Sequence, residues 1–281
     1  MISRYGIFNQ RVNFNQNLRS ADDFIYKHAI STAIVTALIS QHIPMTDFNK
    51  RALIAAAFLC DFGYRFVPRP VLEKGLNLTS DDNKTIQAAL ERGLTYLRQY
   101  QNELDFMKTT FSIMEYYIYS DNLEKRFGYI SDEILLLSQI LKVAETFDQR
   151  TAMNIGHEPE SEIMAMKYLE SAPNIYAKSI VATLPQCIHI VPAGASVDLS
   201  TNEKAVVLVE NPTDYMKPLI LRMSDNNLYD LSEPNVSRRI QIIDLMKTMD
   251  NRVEIDENTL KHFVADKRII SITNKFRSKL K

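Results

Sequence analysis

Apolar positions recur at helical spacing through most of the first two thirds of the chain. Ile25, Ala29, Ala33, Ile34, Ala37 and Leu38 mark one face of a long helix predicted from about Ala21 to His42, opened by a Ser20/Asp23 capping-box pattern and ended by Pro44. A second helix follows over about Asp47 to Asp61, where Ala52, Ala56 and Ala57 permit close approach of a neighbouring helix. Thr79 with Asp82 repeats the capping-box pattern and opens a helix running to about Tyr100. Further helices are predicted over about Leu104–Ser120, Asp132–Phe147 with Ser131 as its cap, Glu160–Ser171 and Ile175–Leu184.

After Pro185 the period changes. Ile188, Ile190, Val197, Leu199, Val206, Leu208, Leu219 and Leu221 alternate with other residues, and Ser200-Thr201-Asn202 and Asp225-Asn226-Asn227 read as turns. This predicts a small antiparallel sheet of about four strands, then a last helical region from near Val236 that includes Ile240, Ile243, Leu245 and Met249, and a basic end. The expected organisation is an N-terminal arm over 1–19, a helical domain over 20–185, and a sheet with a terminal helical segment over 186–281.

Composition narrows the function classes. Lys+Arg 33 against Asp+Glu 34 leaves a net charge of −1, so nothing global favours nucleic acid or an anionic membrane. No apolar run approaches the roughly 18 residues of a membrane span. Two cysteines are too few for a disulfide framework, so a cytoplasmic setting is expected.

One stretch concentrates the candidate chemistry. In AAAFLCDFGYRFVPRPVLEKGLNLT, Ala55 to Thr79, a single carboxylate, Asp61, stands at the end of an apolar helix, where an unpaired charge is costly. The order Asp61, Gly63, Pro68, Val71-Leu72, Lys74 and Leu78-Thr79 resembles the HD-GYP branch of the HD phosphohydrolase superfamily, which reads A-A-L-L-H-D-I-G-K and then Pro, I/V-L, Lys and L-T. Cys60 stands where that family has His, and Tyr64 where it has Lys. The resemblance extends over roughly Ser20 to Leu231. Its first metal-binding His falls on His28, another His falls on Ala89 with the following Gly kept as Gly93, and the paired His fall near Ser120 and Asp121. Gly128-Tyr129-Ile130 stands in place of Gly-Tyr-Pro. Glu133 to Asp148 resembles E-I-P-L-x-A-R-I-L-A-V-A-D-x-F-D, with Glu145 replacing the last metal-binding Asp. Pro192 to Pro212 is similar to a segment found behind many such domains.

The resemblance implies a mainly α, HD-GYP-like helical bundle with a small C-terminal antiparallel β-sheet and a terminal helix. In the family, His and Asp side chains hold metal ions that generate hydroxide for attack on cyclic di-GMP, and two-metal sites need both ions fixed about 3.5–4 Å apart. Here His28, Asp61 and Glu145 are the candidate metal ligands, Asp121 a further carboxylate, and Cys60, Asp61 and Tyr64 the degenerate catalytic positions. The expectation is a catalytically inactive bacterial domain serving as regulator, scaffold or sensor in cyclic di-GMP signalling, with no cofactor. The alternative is a residual phosphodiesterase using Fe or Mn. A GGDEF or HD-GYP signalling protein, or a second copy of the chain, is the expected partner, met through Gly128 and Tyr129. Each residue also has a plain structural reading: His28 as a satisfied helix residue, Asp61 as a cap or as partner of Arg65, Cys60 as a small core hydrophobe, and Gly128 as a turn.

Overall fold

The computed structural model describes residues 11–13, 19, 23–74, 77–119, 131–152, 158–246 and 267–280. The chain divides into two compact units: one contains the described residues up to Glu160 together with Ala165–Cys187, the other Ser161–Met164 and the described residues from Ile188 onward.

The first unit is helical. Helix α1, Phe24–His42, begins after Asp23, whose carboxylate makes no cap bond and instead pairs with Lys27 at 2.6 Å. Ser20, the other half of the expected capping box, lies outside the described residues. The α1 face made by Val35, Leu38 and Ile39 is fully buried, and a file of polar residues at i, i+4 spacing, His28, Thr32, Thr36 and Ser40, is buried as well. Helix α2, Asp47–Leu59, is capped by Thr46, whose hydroxyl accepts from the Asn49 amide at 3.1 Å. Its small residues Ala52, Ala56 and Ala57 are fully buried, which lets α1 and α2 pack closely.

The chain then tightens into a 3₁₀ segment, Cys60–Phe66, where sequence periodicity had favoured α-helix to Asp61. Pro68 caps the short α3, Arg69–Leu72, and Pro70 sits in its first turn, where a missing amide donor costs nothing. Helix α4, Ser80–Leu97, opens with the complete Thr79/Asp82 capping box, and Lys74 reinforces it by donating to both Asp82 oxygens at 2.7 Å. A 3₁₀ turn, Arg98–Tyr100, follows. Helix α5, Met107–Ile118, and helix α6, Asp132–Thr151, which is capped by Ser131, complete the layer around α1 and α2. Helix α7 spans Glu162–Ser171. The helix expected over Ile175–Leu184 is instead two short pieces, α8 (Lys178–Val181) and α9 (Leu184–Cys187). Pro185 cannot donate a helical bond, which limits longer propagation.

The second unit is a five-stranded antiparallel sheet in the order β4-β3-β2-β1-β5. Its strands are β1 Ser196–Leu199, β2 Lys204–Val209, β3 Leu219–Arg222, β4 Asn227–Asp230 and β5 Ile242–Leu245. Asn202 and Asn226 take positive φ, 60° and 53°, in the two turns; Asn is among the residues that tolerate this region best. Two expectations are corrected. Ile188 and Ile190 precede the sheet. The region expected to be helical from Val236 holds only the one-turn α10, Pro234–Ser237, before β5 pairs Val197 with Leu245. The apolar spacing of Ile240, Ile242 and Leu245 was compatible with either period, and sheet pairing decided it; Met249 lies outside the described residues. The terminal helix α11, Lys267–Lys279, buries Phe276 against Val209 and Leu219. The mainly α fold with a small antiparallel sheet and a terminal helix is therefore present.

Candidate functional site

Four elements of the first unit bring ionisable side chains into one buried cluster. His28 comes from the second turn of α1, Asp61 from the 3₁₀ segment, Glu145 and Asp148 from α6, and Arg19 from the chain ahead of α1. Glu145 and Asp148 are three residues apart in a helix and so share a face. Arg19, His28, Asp61 and Asp148 are 4%, 3%, 4% and 0% exposed, so each must be paired internally. Phe24, one turn before His28, stacks on its ring with planes 3° apart.

His28 is held at both ring nitrogens. Nδ1 lies 2.5 Å from Asp148 Oδ2. Nε2 lies 3.2 Å from Asp61 Oδ2 and 3.8 Å from Glu145 Oε1. Behind Asp148, Arg19 Nη2 donates to Oδ1 at 2.7 Å. Asp61 Oδ2, although within ion-pair distance of His28, accepts no aligned hydrogen bond. Glu145 stands at the more open edge, with 14% of its side chain exposed.

These positions set the charges. Burial works against a charged His28, yet the Asp61 charge and the Asp148 hydrogen bond outweigh it and raise its pKa to about 10. Burial also opposes ionisation of Asp148, but hydrogen bonds from His28 and Arg19 hold its pKa below the usual carboxylate value. Burial pushes Glu145 up to about 7, against the attraction of His28. Tyr64 and Tyr117 are pushed upward by burial and by the charges of Asp61 and Glu145, so both remain neutral phenols. Tyr64 therefore brings no charge to the cluster.

His28, Asp61 and Glu145 converge, while Cys60, Ala89 and Arg65 do not join them. The Cys60 thiol is 1% exposed, donates to the Ala57 carbonyl at 3.6 Å and has its pKa pushed up by burial, so it is held as a thiol. Ala89 offers no donor. Arg65 is exposed, and Asp61 faces His28 instead of pairing with it. Asp121, Gly128 and Tyr129 lie outside the described residues. One imidazole and two carboxylates do not fit a two-metal cluster, and among the described residues no group of three or more His, Cys, Asp or Glu side chains is arranged to hold a metal ion.

Sequence reasoning gave no role to Asp148 or Arg19. Asp148 was detectable in principle, because the α6 periodicity puts it on the face that carries Glu145. Arg19 gave no local signal, since its partner is 129 residues away.

A model of the HD domain family matches residues 14–176, a span that contains all of this cluster. A cyclic di-GMP phosphodiesterase of Pseudomonas aeruginosa is 20% identical over 207 residues, covering 72% of this chain and 49% of the relative. The chain thus spans about half the length of the curated relative it matches. No solved structure matches it at a significant level. Because the matched region exceeds half its length, the chain belongs to the HD domain family.

Proposed function

We propose that this chain is a catalytically inactive, HD-GYP-like member of its family that acts as regulator, scaffold or sensor in cyclic di-GMP signalling. The observation that carries the reading is the engagement of His28, whose Nδ1 meets Asp148 at 2.5 Å while Nε2 faces Asp61 at 3.2 Å. The imidazole is committed to carboxylates of its own chain. Cys60 and Ala89 supply no imidazole where the family has one, and Tyr64 supplies no charge. A hydroxide generated on paired metal ions needs more donors than these. The similarity to a cyclic di-GMP phosphodiesterase supports the signalling context, and two buried free cysteines suit a cytoplasmic setting. On this reading no cofactor is resident, and the partner is a GGDEF or HD-GYP protein or a second copy of the chain, reached through the segment carrying Gly128 and Tyr129.

A second reading, a residual Fe- or Mn-dependent phosphodiesterase, draws support from Asp61 Oδ2, which is buried without a hydrogen-bond partner beside the partly exposed Glu145. Incubation of the purified protein with cyclic di-GMP and excess Mn²⁺ or Fe²⁺ separates the two. The first predicts no turnover above background. Turnover that disappears in Asp61→Ala establishes the second.

A further inference from the structure

Arg19 is the least expected member of the cluster. Its side chain is 1% exposed, it bonds a carboxylate that is 0% exposed, and its Nη1 lies 3.3 Å from His28 Nδ1. A guanidinium is charged at every accessible pH and is costly to bury, so its place in the core calls for a matching negative charge. Asp148 supplies that charge, and in the same contact fixes the His28 ring so that Nε2 points between Asp61 and Glu145. Carboxylates commonly orient metal-bound imidazoles in this way. Here the orienting carboxylate is itself neutralised by a permanent cation of the chain.

We propose that Arg19 provides, from within the chain, positive charge that metal ions bring to sites of this kind, so that the Arg19–Asp148–His28 relay completes the cluster with no divalent ion. This rests on the reading of the site as non-catalytic and names the device that keeps it closed. Arg19 balances Asp148 with a charge that no accessible pH removes. Removing Arg19 leaves the carboxylates in excess, and an excess of buried carboxylate attracts a divalent cation or destabilises the fold.

The test is a thermal-melt and Mn²⁺-binding series on the wild type, Arg19→Gln and Arg19→Gln/Asp61→Asn, with free Mn²⁺ read by its electron paramagnetic resonance signal. The expected wild-type result is a melting temperature independent of Mn²⁺ and no depletion of free Mn²⁺. Arg19→Gln should melt lower by about 5–15 °C, the scale of one broken buried ion pair in a chain of this size. Mn²⁺ should restore part of that loss, and the restoration should vanish in the double variant. Saturable Mn²⁺ binding by the wild type overturns the proposal even if the variants do not fold. So does an Arg19→Gln protein that melts with the wild type. Hydrolysis of cyclic di-GMP by the wild type would instead overturn the non-catalytic reading, so the two failures are distinguishable.

Discussion

Gly63 and Gly93 meet backbone to backbone where the 3₁₀ segment crosses α4: a Cβ on Gly93 would lie 2.5 Å from the Gly63 Cα, and one on Gly63 would lie 2.4 Å from the Leu90 Cα. Real Cβ atoms do not approach backbone so closely, and backbone cannot swing aside as a side chain can. This contact is what lets the segment carrying Asp61 lie against α4 while Asp61 faces α1. Gly93→Ala should therefore destabilise the first unit by about 1–3 kcal/mol, the range for overpacking a close-packed core, with the upper end expected because backbone is struck. A urea midpoint equal to the wild type's would show that the crossing can relax without cost.

The electrostatics of the cluster predict an asymmetric pH profile. His28 has its pKa raised from 6.5 to about 10, so the stability it contributes is complete below pH 6.5 and is lost as pH rises through 10. Glu145 is raised from 4.5 to about 7 and acts in the same direction, favouring the folded state most below pH 4.5. Asp148, lowered from 3.8, contributes stability above that value and loses it as pH falls through its depressed pKa. Stability should fall on the alkaline side between pH 6.5 and 10, and the fall should be much reduced in His28→Gln. Denaturant midpoints measured from pH 5 to 10 decide this; parallel curves for the two proteins would refute the assignment.

Asp148 and Asp61 flank the same ring but carry different loads. Asp148→Asn leaves both Arg19 and His28 without their carboxylate in the core, which should cost about 3–5 kcal/mol. Asp61→Asn removes the charge that faces Nε2 but leaves His28 bonded to Asp148, and should cost about 1–3 kcal/mol, the scale of one buried donor left without its partner. Chemical denaturation of the two variants side by side tests the order. A larger loss for Asp61→Asn would make Asp61, and not Asp148, the anchor of the ring.

The elements that local chemistry could specify were readable in the sequence. The Thr79/Asp82 box, the Ser131 cap and the turns at Asn202 and Asn226 each depend on residues within a few positions of one another. His28, Asp61 and Glu145 could be placed together because each falls on a ligand position of the HD-GYP pattern that the sequence resembles, not because periodicity brought them together. Arg19 could not, since it precedes α1 and its role depends on a partner in α6. The strand Ile242–Leu245 was also missed: four residues are too few to separate a period of 2 from one of 3.6, and its pairing with β1 is settled by contacts more than 40 positions away. The 3₁₀ winding of Cys60–Phe66 was hidden for a related reason, because the Gly63–Gly93 crossing that accompanies it is a tertiary contact.

The terminal helix offers a test within the second unit. Phe276, 3% exposed, packs on Val209 and Leu219, with Leu208, Ile272 and Leu280 beside them. At the end of the same helix Lys279 reaches Asp230 at 3.0 Å and Glu233 at 2.5 Å, but its side chain is 43% exposed. Apolar burial should dominate, because an ion pair in solvent is screened and spends entropy holding long side chains in one geometry. Phe276→Ala should cost about 3–5 kcal/mol if the helix stays docked around the cavity. If undocking is cheaper, Lys267–Lys279 separates instead, and its amides exchange as a local opening while those of β1 to β3 stay protected. Lys279→Ala should cost less than about 1 kcal/mol and leave exchange across the helix nearly unchanged. Hydrogen exchange on both variants reads the difference directly, and a helix released by Lys279→Ala but retained in Phe276→Ala would reverse the assignment of what holds it.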